Sequence, residues 1–277
     1  MHLGFGLYTT GLKYTHWVTR FYKKSLTTSP RQSIFFCPEA PLTYDVLYKI
    51  CVWNGYTIVS NPDKADILVH WEDTTFPTTF DDERYINARC TDISKHTLTE
   101  VSKQIFNYTL EVDPCTFRRN CVKKNNVNAS HDGEVIQCPI LKLEDGYVYQ
   151  RIVNNSKQKG IVEDIRIPVM KKEIPFVYIK KRTEVKRFSN ENMSVSIKRT
   201  SHVLSDDEVQ KILLLCDGMN VDYCEIDAIR DYPQGTLYVV DINHCPSGPP
   251  NHLPFHQKIW AMKILSHTFD REFGWKL

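Results

Sequence analysis

A chain of 277 residues, 42% hydrophobic and 25% charged, with a formal net charge of +2, is long enough for a substantial core. It is too near neutrality to be held to nucleic acid or a membrane surface by its overall charge. No run of 18 or more apolar residues is present, and the first twenty residues lack the basic, apolar, small-residue order of a secretory leader, so a cytoplasmic protein is expected. The nine cysteines are odd in number, dispersed and without a C-x-x-C pair. That spacing argues against a disulfide framework or a zinc ribbon and for buried thiols.

Apolar runs at 33–37, 56–60 and 65–71 read as strands. Between them Leu42, Val46, Leu47, Ile50 and Cys51 recur at helical spacing. A second helix is expected over 94–106, with Leu98, Val101, Ile105 and Phe106 inward. Strands alternating with helices imply a small parallel α/β domain over residues 1–112. From Asp113-Pro114 the rhythm changes to short strands at 118–124, 134–140, 147–153, 162–169 and 176–181, which imply antiparallel sheets over 113–277. Ser205-Asp206-Asp207-Glu208 reads as a capping box opening a helix through Cys216. A last helix is expected over 255–269, burying Ile259, Trp260, Ile264 and Leu265.

The stretch 224–243 reads as a hairpin around Asp231-Tyr232-Pro233-Gln234-Gly235. A turn centred near Gln234 sets Asp227 opposite Asp241 and Glu225 opposite Asn243, and period-two alternation puts all four on one face. Val221, Tyr223, Ile229, Leu237 and Val239 are expected on that face too. Carboxylates among apolar groups are costly unless partnered. Two carboxylates and an amide carbonyl, without Cys or His, suit Mg²⁺ or Mn²⁺ better than zinc.

This order of elements, ending in a hairpin with D-x-N, resembles the ATP-grasp family, and within it the glutathione-synthetase-like and ribosomal-protein glutamate ligase branch. The resemblance implies that Asp227, Asp241 and Asn243 hold magnesium against ATP. It also implies that Lys124, or Lys123 if the register slips by one, meets the phosphates beneath the loop 125–133. Gln150, Arg151 and Ile152 would flank adenine, although an alternating strand needs no ligand to explain it. Asp164 would contact ribose, and Arg166 would face the reacting centre. Lys181, Arg182 and Arg187 resemble the basic groups around the transferred phosphate, where guanidinium suits paired contacts to an oxyanion. A solvated basic edge strand is the alternative for that segment.

Two features depart from the family. Glu225 stands where several related ligases put an arginine, and the stretch 244–250 does not keep the usual order. His131 is read as a solvated loop residue. Cys245 is not read as a nucleophile, since no activating base is evident. The expected activity is an ATP-dependent ligation of a small-molecule carboxylate to an amine. A kinase on the same scaffold and a nucleotide-binding module without turnover are the alternatives. Acceptor specificity is expected in the first domain and in loops 74–82 and 189–199.

Overall fold

The computed structural model describes residues 32–274 apart from 129, 131 and 190. The start of the first expected domain, and His131, lie outside the described residues. Strands β1 (Ser33–Pro38), β2 (Thr57–Ile58) and β3 (Ile67–Trp71) form a parallel sheet in the order β2-β1-β3. β3 is buried throughout, as a strand covered on both faces must be. Helix α1 (Val46–Asn54) joins β1 to β2 and ends at Gly55, which takes a left-handed φ of 72° and donates its N–H to the Cys51 carbonyl. The run at 56–60 pairs only at Thr57 and Ile58.

Helix α2 (Lys95–Phe106) was assigned by the sequence to this first unit, but it packs elsewhere. Its apolar residues Leu98 and Phe106 join the core of a second, larger sheet. Before that sheet comes a small antiparallel one, built from β4 (Asn120–Asn125), β5 (Glu134–Gln137) and β6 (Tyr147–Arg151), in the order β5-β4-β6.

The larger sheet contains β7 (Ile161–Met170), β8 (Val177–Thr183), β9 (Ser194–Lys198), β10 (Tyr223–Arg230) and β11 (Leu237–Asn243), antiparallel in the order β11-β10-β7-β8-β9. β9 lies within the stretch expected as a loop at 189–199. Its alternation Ser194-Val195-Ser196-Ile197 is short but real, and turns Val195 into the core. One face of the sheet is hydrocarbon: Ile165, Ile167, Val169, Val177, Ile179, Ile226, Leu237, Val239 and Ile242 pack under α2 and α3 (Asp206–Gly218). The expected capping box is present at the start of α3, with Glu208 N–H donating to Ser205 Oγ and Ser205 N–H to Glu208 Oε2. Gly218 permits the close approach of the two helices, since a Cβ there would stand 2.7 Å from Val101 Cγ1.

The other face is divided. At one end Met170, Phe176, Tyr178, Val195 and Tyr223 join a core shared with β1, β3, α1 and the last helix, α4 (Phe255–Phe273). The rest of that face is charged. Pairing between β10 and β11 sets Glu225 opposite Asn243 and Asp227 opposite Asp241, then shifts at a bulge so that Ala228 faces Val239 and Ile229 faces Tyr238. The shift corrects part of the expected face: Leu237 and Val239 lie on the helix-covered side, and Tyr238 takes the side of the carboxylates.

Asn87 ties the first unit to β10. Fully buried at φ 64°, it donates its N–H to Asp222 Oδ2 (2.9 Å) and Nδ2 to the Tyr223 carbonyl (2.9 Å), while Oδ1 accepts from the N–H groups of Asp222 (2.8 Å) and Tyr223 (2.9 Å). Asparagine tolerates this conformation, and its amide matches three backbone groups at once. Asn87→Ala leaves those groups unpaired and is expected to destabilise by about 3 kcal/mol, read as a lower midpoint in urea with an unchanged slope.

Candidate functional site

A cleft lies between the small sheet and the charged face of the large one. β4 and β6 contribute Val122, Lys124, Gln150 and Arg151, the following segment Ile152, Val153 and Asn155, and the large sheet Asp164, Ile229 and Val240. Arg187 and Phe188 close one side. Val240 reaches the cleft because the bulge adds one residue to β11, between Asp241 and Val239.

Side-chain parity fixes what faces the cleft. Lys124 is paired with Val148 on β6 and donates Nζ to Gln150 Oε1 at 3.2 Å. Lys123 points away, to Glu144 at 2.6 Å and over the Tyr147 ring, so Lys124 is the cleft lysine of the two. Burial lowers the Lys124 ammonium, against the pull of Asp241. On the large sheet, Val162, Asp164 and Arg166 of β7 lie opposite Arg182, Lys180 and Tyr178 of β8. Lys181 therefore turns to the other face, where its Nζ stands 3.5 Å from Glu163. Lys180 stands in its place. Arg151 also turns its side chain from the cleft, since it is paired with Cys121 on the face of β4 and β6 that carries Lys123. Parity was the available signal, because Val177 and Ile179 must face the core and so aim 178, 180 and 182 the opposite way.

The charged groups are paired in two chains. Arg182 Nη2 meets Asp164 Oδ2 at 2.8 Å, and its Nη1 donates to the carbonyls of Arg187 and Ser189. Asp164 Oδ1 also accepts from Asn155 Nδ2 at 3.1 Å. Burial raises the Asp164 carboxyl, although Arg182 and Lys180 oppose it. In the second chain Asp227 receives three donors: Arg166 Nε to Oδ1 (3.0 Å), Arg166 Nη2 to Oδ2 (2.9 Å) and Lys180 Nζ to Oδ1 (2.8 Å). Burial pushes Asp227 up, but Arg166 and Lys180 together outweigh it and hold the group well below the usual carboxylate range. Arg166 Nη1 also stands 3.5 Å from Glu225 Oε2. Glu225 is 4% exposed, and burial pushes its carboxyl up to about 7 despite Arg166. Arg187 donates Nη2 to Asn155 Oδ1 and the Val153 carbonyl.

Asp241 differs from Asp227. Among the described residues its carboxylate accepts one hydrogen bond, from the Ile242 N–H at 3.2 Å. Burial raises its pKa, with the Lys95 ammonium opposing. Asn243 Oδ1 accepts from Cys245 N–H at 2.8 Å. The candidate metal donors are thus all oxygen, with Asp241 underused, which fits a hard divalent cation. Among the described residues no group of three His, Cys, Asp or Glu side chains gathers to hold a metal. Burial pushes the Cys245 thiol well up, which agrees with its having no nucleophilic part.

Lys95 was missed by the sequence reading. It opens α2, is 8% exposed, donates to the Val127 carbonyl and Asn128 Oδ1, and acts electrostatically on Asp241 and Lys124. A lysine in the first turn opposes the helix dipole. That local conflict, directly after the capping Ser94, was the available signal.

No protein-family profile matches the sequence, and no curated protein matches it. Among solved structures the chain is similar to a D-alanine–D-alanine ligase from Bacillus anthracis complexed with ATP, at 12% identity and TM-score 0.47, covering 87% of this chain and 96% of that one. It is also similar to the macrocyclase MdnC bound with precursor peptide MdnA from Microcystis aeruginosa, at 14% identity and TM-score 0.47, covering 84% and 98%. A third similar structure is the ATP-grasp ligase PsnB complexed with a minimal precursor, at 11% identity and TM-score 0.42. There 76% of this chain is covered and 63% of that one, so the chain spans under two thirds of its length.

The raised pKa of Glu225 has a defined effect on stability. Between its ordinary value of 4.5 and about 7 the folded state binds the proton that the unfolded state has released. Stability due to this group is therefore present at low pH and lost as pH rises through that window. Asp227 has the opposite sign, stabilising above its ordinary value of 3.8 and losing that contribution as pH falls below it. Glu225→Gln is expected to match the unsubstituted protein near about pH 5 and to exceed it near about pH 8, by up to about 3 kcal/mol. Thermal melts across that range check it.

Proposed function

We propose that this protein is an ATP-dependent ligase that activates a carboxylate as an acyl phosphate and transfers it to an amine, with a divalent cation, magnesium or manganese, at Asp227, Asp241 and Asn243. The observation that supports this reading is that Lys124, Asp164 and Arg187 line one cleft between two sheets, and that the sheet face carrying Asp164 also carries Arg166, Lys180, Arg182, Asp227 and Asp241. Lys95, Lys124, Arg166, Lys180, Arg182 and Arg187 stand against Asp164, Glu225, Asp227 and Asp241, a surplus of cations that suits a polyphosphate. The protein as a whole is nearly neutral, so this surplus is local.

In this reading the adenine lies between Val122, Ile229 and Val240, beside the backbone of Gln150, Arg151 and Ile152. Asp164 accepts from the ribose hydroxyls. Lys124 and Lys95 neutralise phosphate oxygens, and their burial strengthens each contact by excluding water. Arg182 and Arg187 steady the charge that grows on the transferred group, and Arg166 faces the reacting centre. A bound divalent cation supplies charge neutralisation and in-line alignment of the phosphates. Side chains on rigid strands suit phosphoryl transfer, which asks the protein mainly for position and compensating charge.

A second reading is favoured by Glu225. By the resemblance to the ATP-grasp family, Glu225 stands where several of its ligases put an arginine near the acyl intermediate, and Arg166 directs its three nitrogens to Asp227 and Glu225. That arrangement suits a kinase, which transfers phosphate to a hydroxyl and stops. Supplying pooled amines with pooled carboxylates separates the two, because only a ligase releases phosphate together with an amide.

Asp241→Ala is expected to lower magnesium-dependent ADP release by about 10²-fold or more. It should leave the melting temperature unchanged or higher, since a buried carboxylate with a raised pKa is removed. Full turnover in this variant would overturn the assignment of the metal site.

A further inference from the structure

Glu225 is the one acidic side chain of the charged chain for which the nucleotide reading has no use. It is buried, among the described residues its Oε2 has no hydrogen-bond partner, and Arg166 Nη1 stands 3.5 Å from it. Beside it on the same face stand the buried hydroxyls of Tyr178 and Tyr223, which likewise have no hydrogen-bond partner among the described residues. A glutamate placed only to fill space would be replaced at less cost by an apolar residue of similar volume. What the position offers instead is a second anion for a guanidinium already committed to Asp227.

That commitment creates a conflict. Asp227 holds three donors from two cations, and Arg166 grips both of its oxygens. To give an electron pair to a divalent cation, Asp227 must loosen that grip. Without Glu225, loosening would leave a half-buried guanidinium with no carboxylate in contact and only Asp241 acting on it at longer range. Glu225 Oε2 lies on the one arm that Asp227 does not touch.

We propose that Glu225 is a positioning residue that holds Arg166 through Nη1, so that Asp227 can turn an oxygen to a divalent cation while the guanidinium stays in the cleft. This rests on the reading of Asp227 as a metal ligand. Asp227 and Glu225 are two residues apart on one strand face, and both reach one arginine on the neighbouring strand, where Arg166 is paired with Asp227. The metal ligand and the arginine anchor are therefore set by the same register.

The test counts free Mn²⁺ by electron paramagnetic resonance, with the full chain and a non-hydrolysable ATP analogue, so that no turnover is needed. Four proteins are compared: unsubstituted, Glu225→Gln, Arg166→Met and the double variant. Glu225→Gln is expected to weaken Mn²⁺ binding about tenfold, an ordinary pairwise coupling, and to change it less than about twofold when Arg166 is already methionine. Glu225→Asp, which keeps the charge and shortens the reach, should fall between glutamate and glutamine. An equal loss in both arginine backgrounds would mean that Glu225 acts through something other than Arg166 and would overturn the proposal, as would no loss at all. Failure of the unsubstituted protein to bind Mn²⁺ with the analogue would sink the metal assignment of Asp227 itself, and this proposal with it.

Discussion

Buried ions on one face of a β-sheet, whose other face is hydrocarbon, can persist only by neutralising one another. The strands β7, β8 and β10 place acidic and basic side chains at alternate positions, and the register sets Asp164 beside Lys180 and Asp227 beside Arg166. Removing one member of such a chain strands its partner, at a cost well above the net worth of the pair. The dry face makes this possible, because Ile165, Ile167, Ile179 and Ile226 lock the strands in the register that the charges need. A slip of one residue would send every charge into the core under α2 and α3.

Self-neutralisation is incomplete, and the remainder is informative. Asp227 is saturated with donors, whereas Asp241, its partner across β10 and β11, accepts one backbone hydrogen bond and faces Lys95 and Lys124 only at range. The bulge after Asp227 separates the two halves of the hairpin. Toward Asn243 it keeps the carboxylates facing each other, and toward the turn it brings Tyr238 and Val240 to the cleft side. A polar end and an apolar end thus adjoin within a few residues of β11. A ligand with a flat apolar group at one end and negative charge at the other matches that division.

Much of this was legible in the sequence. The turn residues fixed the pairing of Asp227 with Asp241, and the alternation of β7 and β10 fixed which side chains share a face. The bulge was not legible, since one inserted residue in β11 reads as unbroken apolar sequence from Leu237 to Val240. Nor was the partner of α2: its apolar stripe states that one face is buried and says nothing of where, and the neighbours that bury it come from residues more than a hundred positions later. Lys180 and Lys95 were missed for different reasons. The first needed the parity of β8 to be carried through to its end. The second is brought to Asp241 by long-range packing alone.

Glu225 shows how stability and function separate in this cleft. Its burial raises its pKa, so near neutral pH the fold spends free energy to keep a carboxylate there, although a neutral residue of the same shape would remove that cost. Its packing neighbours do not ask for it, because Tyr178 and Tyr223 have no hydrogen-bond partner among the described residues and do not donate to it. Among the described residues the cation in contact with it is Arg166, with Lys180 acting at longer range, and Arg166 is already bound twice by Asp227. A redundant anchor has no value to a static ion pair. It has value where the first anchor must be released, so the surplus carboxylate beside Arg166 is itself a sign that Asp227 has a second partner to meet.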